Sequence, residues 1–80
     1  MIRFTKHAQE AVEKRGIARE WIDRTIAAPD FTRADPNDRT LTHSFKVIDE
    51  AGRRILRVVH RPEQTDMLIV TAHFDRNAKP

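Results

Sequence analysis

The sequence contains no cysteine, and its 80 residues include only two glycines. Without cysteine there is no disulfide, no thiol nucleophile and no zinc–thiolate site. Long apolar runs are also missing: the strongest, Met67–Val70, is far shorter than the roughly 20 residues that cross a bilayer. The first residues, Met1–Lys6, lack the apolar run of a secretory signal. We therefore expect a cytoplasmic protein with no membrane contact. Its stability is expected to come from packing of apolar side chains, and a homodimer interface is one way to add to that packing.

Positive charge is concentrated in one central segment. Lysine and arginine number 15 against 12 acidic residues, which gives a formal net charge of +3. Between Phe45 and Arg61 there are five basic and two acidic residues, whereas the rest of the chain is balanced. An excess this small permits a polyanionic partner such as RNA without requiring one.

The first part of the chain has the periodicity of two short helices. Thr5 is a suitable N-cap for a helix over Thr5–Arg15, and Gly16 is a suitable residue to end it. A second helix is predicted at about Ala18–Ala28, where Pro29 stops it. Because each helix has one apolar stripe, we expect a helical hairpin with a shared apolar face.

From residue 39 onward the apolar period changes to two, which predicts strands. The predicted strands are Arg39–Asp49, Arg53–Arg61 and Met67–Phe74, with Met1–Phe4 as a further short edge strand. Residues 30–38 are predicted to be a loop, and residues 75–80 a frayed polar tail. The chain is thus predicted to be a single α+β domain over residues 1–80. Its two layers would be an N-terminal helical hairpin and an antiparallel sheet of three to four strands.

Strand alternation predicts which side chains share a face of the sheet. The face toward the helices is predicted to carry Leu41, Phe45, Val47, Leu56, Val58, Leu68, Val70, Ala72 and Phe74. The opposite face would carry Ser44, Lys46, Ile48, Arg57, Val59, Ile69, Thr71 and His73. The second face is the informative one, because it mixes cations, a hydroxyl and an imidazole with a few aliphatic residues.

These polar groups are those that phosphodiester cleavage without a metal requires. His73 can move a proton near neutral pH, while Lys46 and Arg57 can stabilise the charge that develops on the phosphorus oxygens. Thr71 can bind the substrate from the same face, and RNA supplies its own nucleophile, the 2′-hydroxyl. The same residues are also typical of an ordinary solvated sheet face.

Several other polar residues allow two interpretations. His7, near the start of the first helix, is either a proton shuttle or phosphate contact, or a half-exposed helix residue. Arg53 and Arg54, beside a tight turn, either bind substrate phosphates or are solvated. His43 and His60 fall on the parity of the helix-facing side, where hydrogen-bonded boundary residues are expected. The four histidines lack metal-binding spacing, so we predict no metal and no cofactor.

A set of short motifs resembles a known family. Phe4-Thr5-Lys6-His7-Ala8 is followed by Arg15-Gly16-Ile17 and Glu20-Trp21-Ile22, and later by Lys46-Val47, Leu56-Arg57-Val58-Val59 and Ile69-Val70-Thr71-Ala72. In these motifs nearly the whole chain resembles a small bacterial family catalogued as domain of unknown function 4258. It also looks like BrnT-type toxins, and through them it is similar to the RelE/barnase-like group of metal-independent ribonucleases.

This resemblance implies a RelE/BrnT-like fold and a place in a toxin–antitoxin pair, with an acidic antitoxin-like protein as partner. The positions that it marks are His7, Arg15, Lys46, Arg57 and Thr71. One position departs from the pattern, since Ala11 stands where the family commonly has a second arginine in the first helix.

Three functional hypotheses follow from the residues and the resemblance together. The first is a ribonuclease in which His7 or His73 transfers protons while Arg15, Lys46 and Arg57 hold the scissile phosphate. The second is a non-catalytic domain that binds a protein or RNA through the same sheet face. The third is a stand-alone fold whose basic face only aids solubility.

Overall fold

In the computed structural model, which describes residues 1–79, two helices follow the first strand and precede four more. The elements are β1 (Ile2–Phe4), α1 (Lys6–Arg15), α2 (Arg19–Ala27), β2 (Phe31–Ala34), β3 (Thr42–Ile48), β4 (Arg54–Glu63) and β5 (Asp66–Phe74). A 3₁₀ turn, Asp49–Ala51, follows β3. The α+β class predicted from the sequence is confirmed.

The strands form one mixed sheet in the order β1-β5-β4-β3-β2. β1 runs parallel to β5, and the other neighbours are antiparallel. This differs from the predicted antiparallel sheet of three to four strands, chiefly because β2 forms within the segment predicted as a loop. Phe31–Ala34 is only four residues long and pairs with β3, so its extended backbone depends on a partner distant in sequence.

The helices begin and end close to where the sequence predicts. The Thr5 hydroxyl caps α1 by accepting a hydrogen bond from the Ala8 amide at 3.0 Å, and Gly16 ends the helix with a φ of 64°. Ala18 starts α2 without a side-chain cap. α1 packs mainly against β5, and α2 against β3 and β4, and both helices contribute apolar residues to one core. No helix within residues 1–79 is long and apolar enough to cross a bilayer.

The main core lies between the helices and one face of the sheet. Its buried residues are Ala8, Ile17, Ile22, Ile48, Leu56, Val58, Ile69 and Ala72. Trp21 and Phe74 close this layer, with their rings edge to face and their centroids 6.2 Å apart. Burial of this apolar surface is the principal term that stabilises a fold without cross-links.

The predicted face assignment of β3 is wrong. Lys46 pairs with Leu56, and Ile48 is fully buried in the main core, so the even-numbered residues of β3 face the helices. Phe45 lies on the other face, in register with Arg57. The sequence misleads here because the odd-numbered residues are the more apolar set, and they enter a second apolar layer on the far side of the sheet.

A bulge changes the alternation of β5. Val59 pairs with Thr71 but His60 pairs with Ile69, which leaves Val70 as the extra residue. Ile69, predicted to lie opposite the helices, is therefore fully buried in the main core. Thr71 keeps its predicted face, because the bulge lies before it in the strand.

His60 is a buried residue of the helix-facing side, as its parity predicts. Its Nε2 is 2.7 Å from the Ser44 hydroxyl, and its Nδ1 is 3.1 Å from the sulfur of Met67. Since a thioether only accepts, Nδ1 carries the proton and Nε2 accepts from the hydroxyl. The neutral ring thus has partners for both nitrogens, and burial lowers the pKa of His60.

The tail after β5, predicted to be frayed, makes several hydrogen bonds. The Asp75 amide donates to the Ile55 carbonyl at 2.8 Å, and the Asp75 carboxylate accepts from the Asn77 amide at 2.9 Å. Arg33 of β2 donates to the carbonyl of Lys79. The tail therefore reaches from the end of β5 toward the opposite edge of the sheet. Pro80, the last residue of the predicted tail, lies outside the described residues.

Candidate functional site

Cations, histidines and phenylalanines from four strands share the sheet face away from the helices. The pairing register places them in two neighbouring rows: Phe31, Phe45, Arg57 and His73 in one, and Arg33, His43, Val59 and Thr71 in the other. We call these eight residues the outer face. Arg57, Thr71 and His73, which were predicted to lie opposite the helices, are all on it.

A buried phenylalanine supports the arginines of the outer face. Phe45 is only 1% exposed and stacks on Phe31 with ring centroids 4.5 Å apart. The guanidinium carbon of Arg57 lies 5.1 Å from the centroid of the Phe45 ring, and that of Arg33 lies 5.8 Å from it. Cations over aromatic rings are attracted to the π face, so Phe45 helps to hold both guanidinium groups in place.

Hydrogen bonds fix Arg57 at the centre of the outer face. Its Nε donates to His43 Nδ1 at 2.9 Å, and its Nη1 donates to the Asp75 carboxylate at 2.8 Å. His43 Nε2 in turn lies 2.7 Å from the Asp35 carboxylate. The chain Asp35–His43–Arg57–Asp75 therefore joins the β2–β3 loop, two central strands and the tail.

This chain of hydrogen bonds determines the tautomer of His43. Because Nδ1 accepts from Arg57, the ring proton is on Nε2, where it is donated to Asp35. The hydrogen bond from His43, followed by that from the Asn37 amide, lowers the pKa of Asp35. Both nitrogens of His43 are thus engaged within the protein, so His43 positions Arg57 and is not available as a general base.

His73 is the histidine of this face that is suited to accept a proton. It lies directly across from Arg57 in the β4–β5 register and is half-buried. Burial lowers the pKa of His73, and the positive charge of Arg57 lowers it further. The ring is therefore mostly neutral near neutral pH, as a general base must be.

α1 carries two further predicted residues, His7 and Arg15. His7 and Arg15 line a shallow cleft of about 190 Å³ together with Ala11, and both side chains are exposed. The charge of Arg15 is one of the smaller causes that lower the pKa of His73. Within residues 1–79, no hydrogen bond joins His7 or Arg15 to the network around Arg57. Ala11, which also lines this cleft, is buried.

Lys46 is not part of the outer face, although it was predicted there with Arg57. Its ammonium group donates to the Ala28 carbonyl at 2.8 Å and lies 3.6 Å from the Asp30 carboxylate. These contacts are at the C-terminal end of α2, on the helix-facing side of β3. The sheet itself therefore separates Lys46 from Arg57.

The two predicted substrate-binding arginines lie elsewhere again. Arg53 and Arg54 line a cleft of about 410 Å³ at the turn between β3 and β4. Thr71, the third predicted substrate-binding residue, is on the outer face, in the row that contains His43. The predicted site residues thus fall into four groups: the outer face, the α1 cleft, Lys46 on the helix-facing side, and the turn cleft.

Sequence reasoning missed the residues that hold Arg57. His43 was assigned to the wrong face with the rest of β3, while Asp35 and Asp75 lie in segments predicted as loop and tail. Only Asp75 had a sequence signal, because it comes immediately after the predicted strand Met67–Phe74; Asp35 follows β2, which was not predicted. Recognising the network requires the strand register, which joins residues 18 positions apart.

The titratable groups of the site are not arranged as a metal centre. In the part of the chain that the structure describes, no three histidine, aspartate or glutamate side chains lie together as metal ligands. What the outer face offers chemically is a neutral imidazole beside a fixed guanidinium.

The fold and the outer face together define a class of protein. It is a small α+β protein with a five-stranded mixed sheet, helices on one face and an arginine–histidine network on the other. A family model described as Domain of unknown function (DUF4258) matches residues 4–74, and the chain belongs to this family. No curated protein and no solved structure matches the chain. The resemblance to this family stated above is confirmed, whereas the one to BrnT-type and RelE-like toxins stays a prediction.

Proposed function

We propose that the protein is a metal-independent endoribonuclease of toxin–antitoxin type, with its active site on the outer face. The observation that carries the proposal is the pairing of Arg57 with His73. Arg57 is held by His43 and Asp75, and the pKa of the adjacent His73 is lowered by burial and by that guanidinium. A fixed cation beside a neutral imidazole is what cleavage of RNA by its own 2′-hydroxyl requires.

In the proposed reaction His73 accepts the proton of the 2′-hydroxyl, and the 2′-oxygen attacks the adjacent phosphorus. The bond from phosphorus to the 5′-oxygen breaks, and that oxygen leaves with a proton donated by His7. The products are a 2′,3′-cyclic phosphate and a free 5′-hydroxyl. Arg57 stabilises the extra charge on the phosphorus oxygens, chiefly through Nη2, the nitrogen that has no hydrogen-bond partner among residues 1–79.

The other predicted residues take supporting parts in this proposal. Arg15, whose charge lowers the pKa of His73, binds the phosphate from the side of α1. Thr71, two residues before His73 in β5, contacts the RNA. Lys46 is left out, because its ammonium group is bound at the end of α2 on the other side of the sheet.

The test is cleavage of a mixed single-stranded RNA in buffer that contains a chelator. We expect products that end in 2′,3′-cyclic phosphate and a bell-shaped dependence of kcat/KM on pH. His73→Asn should lower the rate by about 100-fold or more, as loss of a general base does. Arg39→Gln is the matched control, because this exposed arginine lies in the β2–β3 loop and, within residues 1–79, forms no hydrogen bond or ion pair with the outer face.

Two results would contradict the proposal. The first is intact RNA after prolonged incubation with the folded wild-type protein. The second is cleavage whose rate is the same in wild type and His73→Asn, since the active residues would then lie elsewhere or in a contaminant.

A non-catalytic binding domain is the second candidate, and one observation favours it. The Nε and Nη1 groups of Arg57 already donate to His43 and Asp75, which leaves one terminal nitrogen for a ligand. Such a domain would bind RNA with strong salt dependence and leave it intact, or bind an acidic antitoxin-like protein over the same face. Co-purification with the product of a neighbouring gene, without ribonuclease activity when the two are separated, would support this candidate.

A further inference from the structure

A separate group of arginines lies at one end of the sheet, beyond the outer face. The turn after β3 and the end of β5 enclose a cleft of about 410 Å³, which is lined by Arg53, Arg54, Ile55, Phe74 and Arg76. Two apolar side chains form part of its wall, and three guanidinium groups surround it. The cleft is therefore strongly positive while part of its lining is apolar.

Arg54 is held in a fixed orientation in this cleft. Its guanidinium carbon lies 3.9 Å from the centroid of the Phe74 ring, and its Nε donates to the Ala51 carbonyl at 2.8 Å. Phe74 is itself fixed by its edge contact with Trp21. With Nε used and the plane set by the ring, the two terminal nitrogens of Arg54 remain for a ligand. This is the fork that binds phosphate oxygens in pairs.

The charge of the cleft is only partly neutralised. Arg53, which has a left-handed φ of 61°, lies 3.2 Å from the Asp49 carboxylate, and both side chains are largely exposed. Across residues 1–79, no carboxylate forms an ion pair with Arg54 or Arg76. An exposed arginine pair without acidic partners attracts an anion, and phosphate matches its geometry.

The cleft lies at the end of the sheet, between its two faces. Arg54 and Phe74 are on the helix-facing side, whereas Ile55 is two residues before Arg57 on the outer side of β4. Asp75, which binds Arg57, directly precedes Arg76. An RNA strand whose scissile phosphate lies at Arg57 and that continues over this end of the sheet would therefore bring a nearby phosphate to the cleft.

We propose that this cleft binds a backbone phosphate of a single-stranded RNA that crosses the outer face and continues over this end of the sheet. Arg54 binds the phosphate through its two terminal nitrogens, and Arg76 adds charge from the tail. The proposal rests on the proposed function for the identity of the ligand, and it adds a second phosphate subsite remote from the reacting bond.

The test measures binding of a 2′-O-methylated RNA octamer, which cannot be cleaved because its 2′-oxygen has no proton. Fluorescence anisotropy at several salt concentrations compares wild type with Arg76→Gln, Arg54→Gln and Arg39→Gln. We expect each of the first two variants to raise Kd about 5- to 10-fold, and to reduce the slope of log K against log salt by about 0.7. Arg39→Gln, at the other end of the sheet, should change Kd less than about twofold and leave the slope unchanged.

Arg76→Gln keeps the test informative even if loss of the Arg54 side chain unfolds the turn, because Arg76 is exposed. If the octamer binds and Arg76→Gln behaves like Arg39→Gln, the second subsite is refuted and the proposed function is untouched. If the cleft binds inorganic phosphate but the variants bind the octamer as tightly as the wild type does, the RNA subsite is also refuted, because the cleft is then a site for free phosphate. If the octamer binds with the expected dependence but RNA stays intact, the subsite is supported and catalysis fails. No binding to wild type would overturn both.

Discussion

Replacing Phe45 by alanine should remove the support of the outer face and destabilise the whole protein. Phe45 is 1% exposed, although it lies on the face away from the helices. Its ring stacks on Phe31, and the guanidinium groups of Arg33 and Arg57 cover it. Without the ring, these three side chains would border a cavity rather than a packed surface.

The expected size of the effect follows from this burial. Transfer of a fully buried phenylalanine side chain from water contributes about 1.5–3 kcal/mol, and the cavity left behind raises the loss to about 3–5 kcal/mol. Stacking with Phe31 accounts for about 0.5–1.5 kcal/mol of coupling. A domain of this size has a total free energy of unfolding of about 5–10 kcal/mol, so the loss is a large share.

Urea denaturation followed by the fluorescence of Trp21, the one tryptophan, measures this change. Phe31→Ala is the control, because Phe31 is half-buried at the sheet edge and should lose clearly less stability. The double variant gives the coupling energy of the pair. A loss below about 1 kcal/mol for Phe45→Ala would refute the reasoning, because Phe45 could not then be a packed residue of a second apolar layer.

Three further predictions concern the rest of the fold. Burial lowers the pKa of His60 in the folded protein, so as the pH falls the unfolded chain binds a proton at this residue before the folded protein does. The free energy of unfolding should therefore be unaffected by this group above pH 6.5 and should fall as the pH drops below that value. Thermal melts would show this as a Tm that decreases with falling pH in the wild type and decreases less in a His60→Gln variant. The hydrogen bonds from Arg24 lower the pKa of Glu50 to about 2, and Arg24→Gln should return it toward 4.5 in an NMR titration of the carboxyl carbon. Thr5→Ala should lower the free energy of unfolding by about 1 kcal/mol, because it removes the cap of α1, whereas Ala18→Ser should raise it by adding a cap to α2. If urea denaturation shows that both variants change the free energy of unfolding in the same direction, the capping argument is contradicted.

Which of the site residues come together was only partly predictable. Arg57, Thr71 and His73 share the outer face as strand alternation predicts. Lys46 does not, because β3 presents its more apolar side to Phe31 and the arginines rather than to the helices. Alternation shows that neighbouring residues are on opposite faces, but it does not show which of two apolar layers each face joins.

The sequence by itself determined the local elements: two helices ended by Gly16 and Pro29, the hairpin at Gly52 and the period-two strands after residue 39. Those features depend on backbone sterics, capping and spacing within a few residues, so nearby residues suffice to specify them. Only the tertiary structure decided that Phe31–Ala34 is a strand, that Val70 bulges, and that His43 and Asp75 hold Arg57. These outcomes depend on register between strands distant in the chain, where the free energy comes from partners that local sequence does not name.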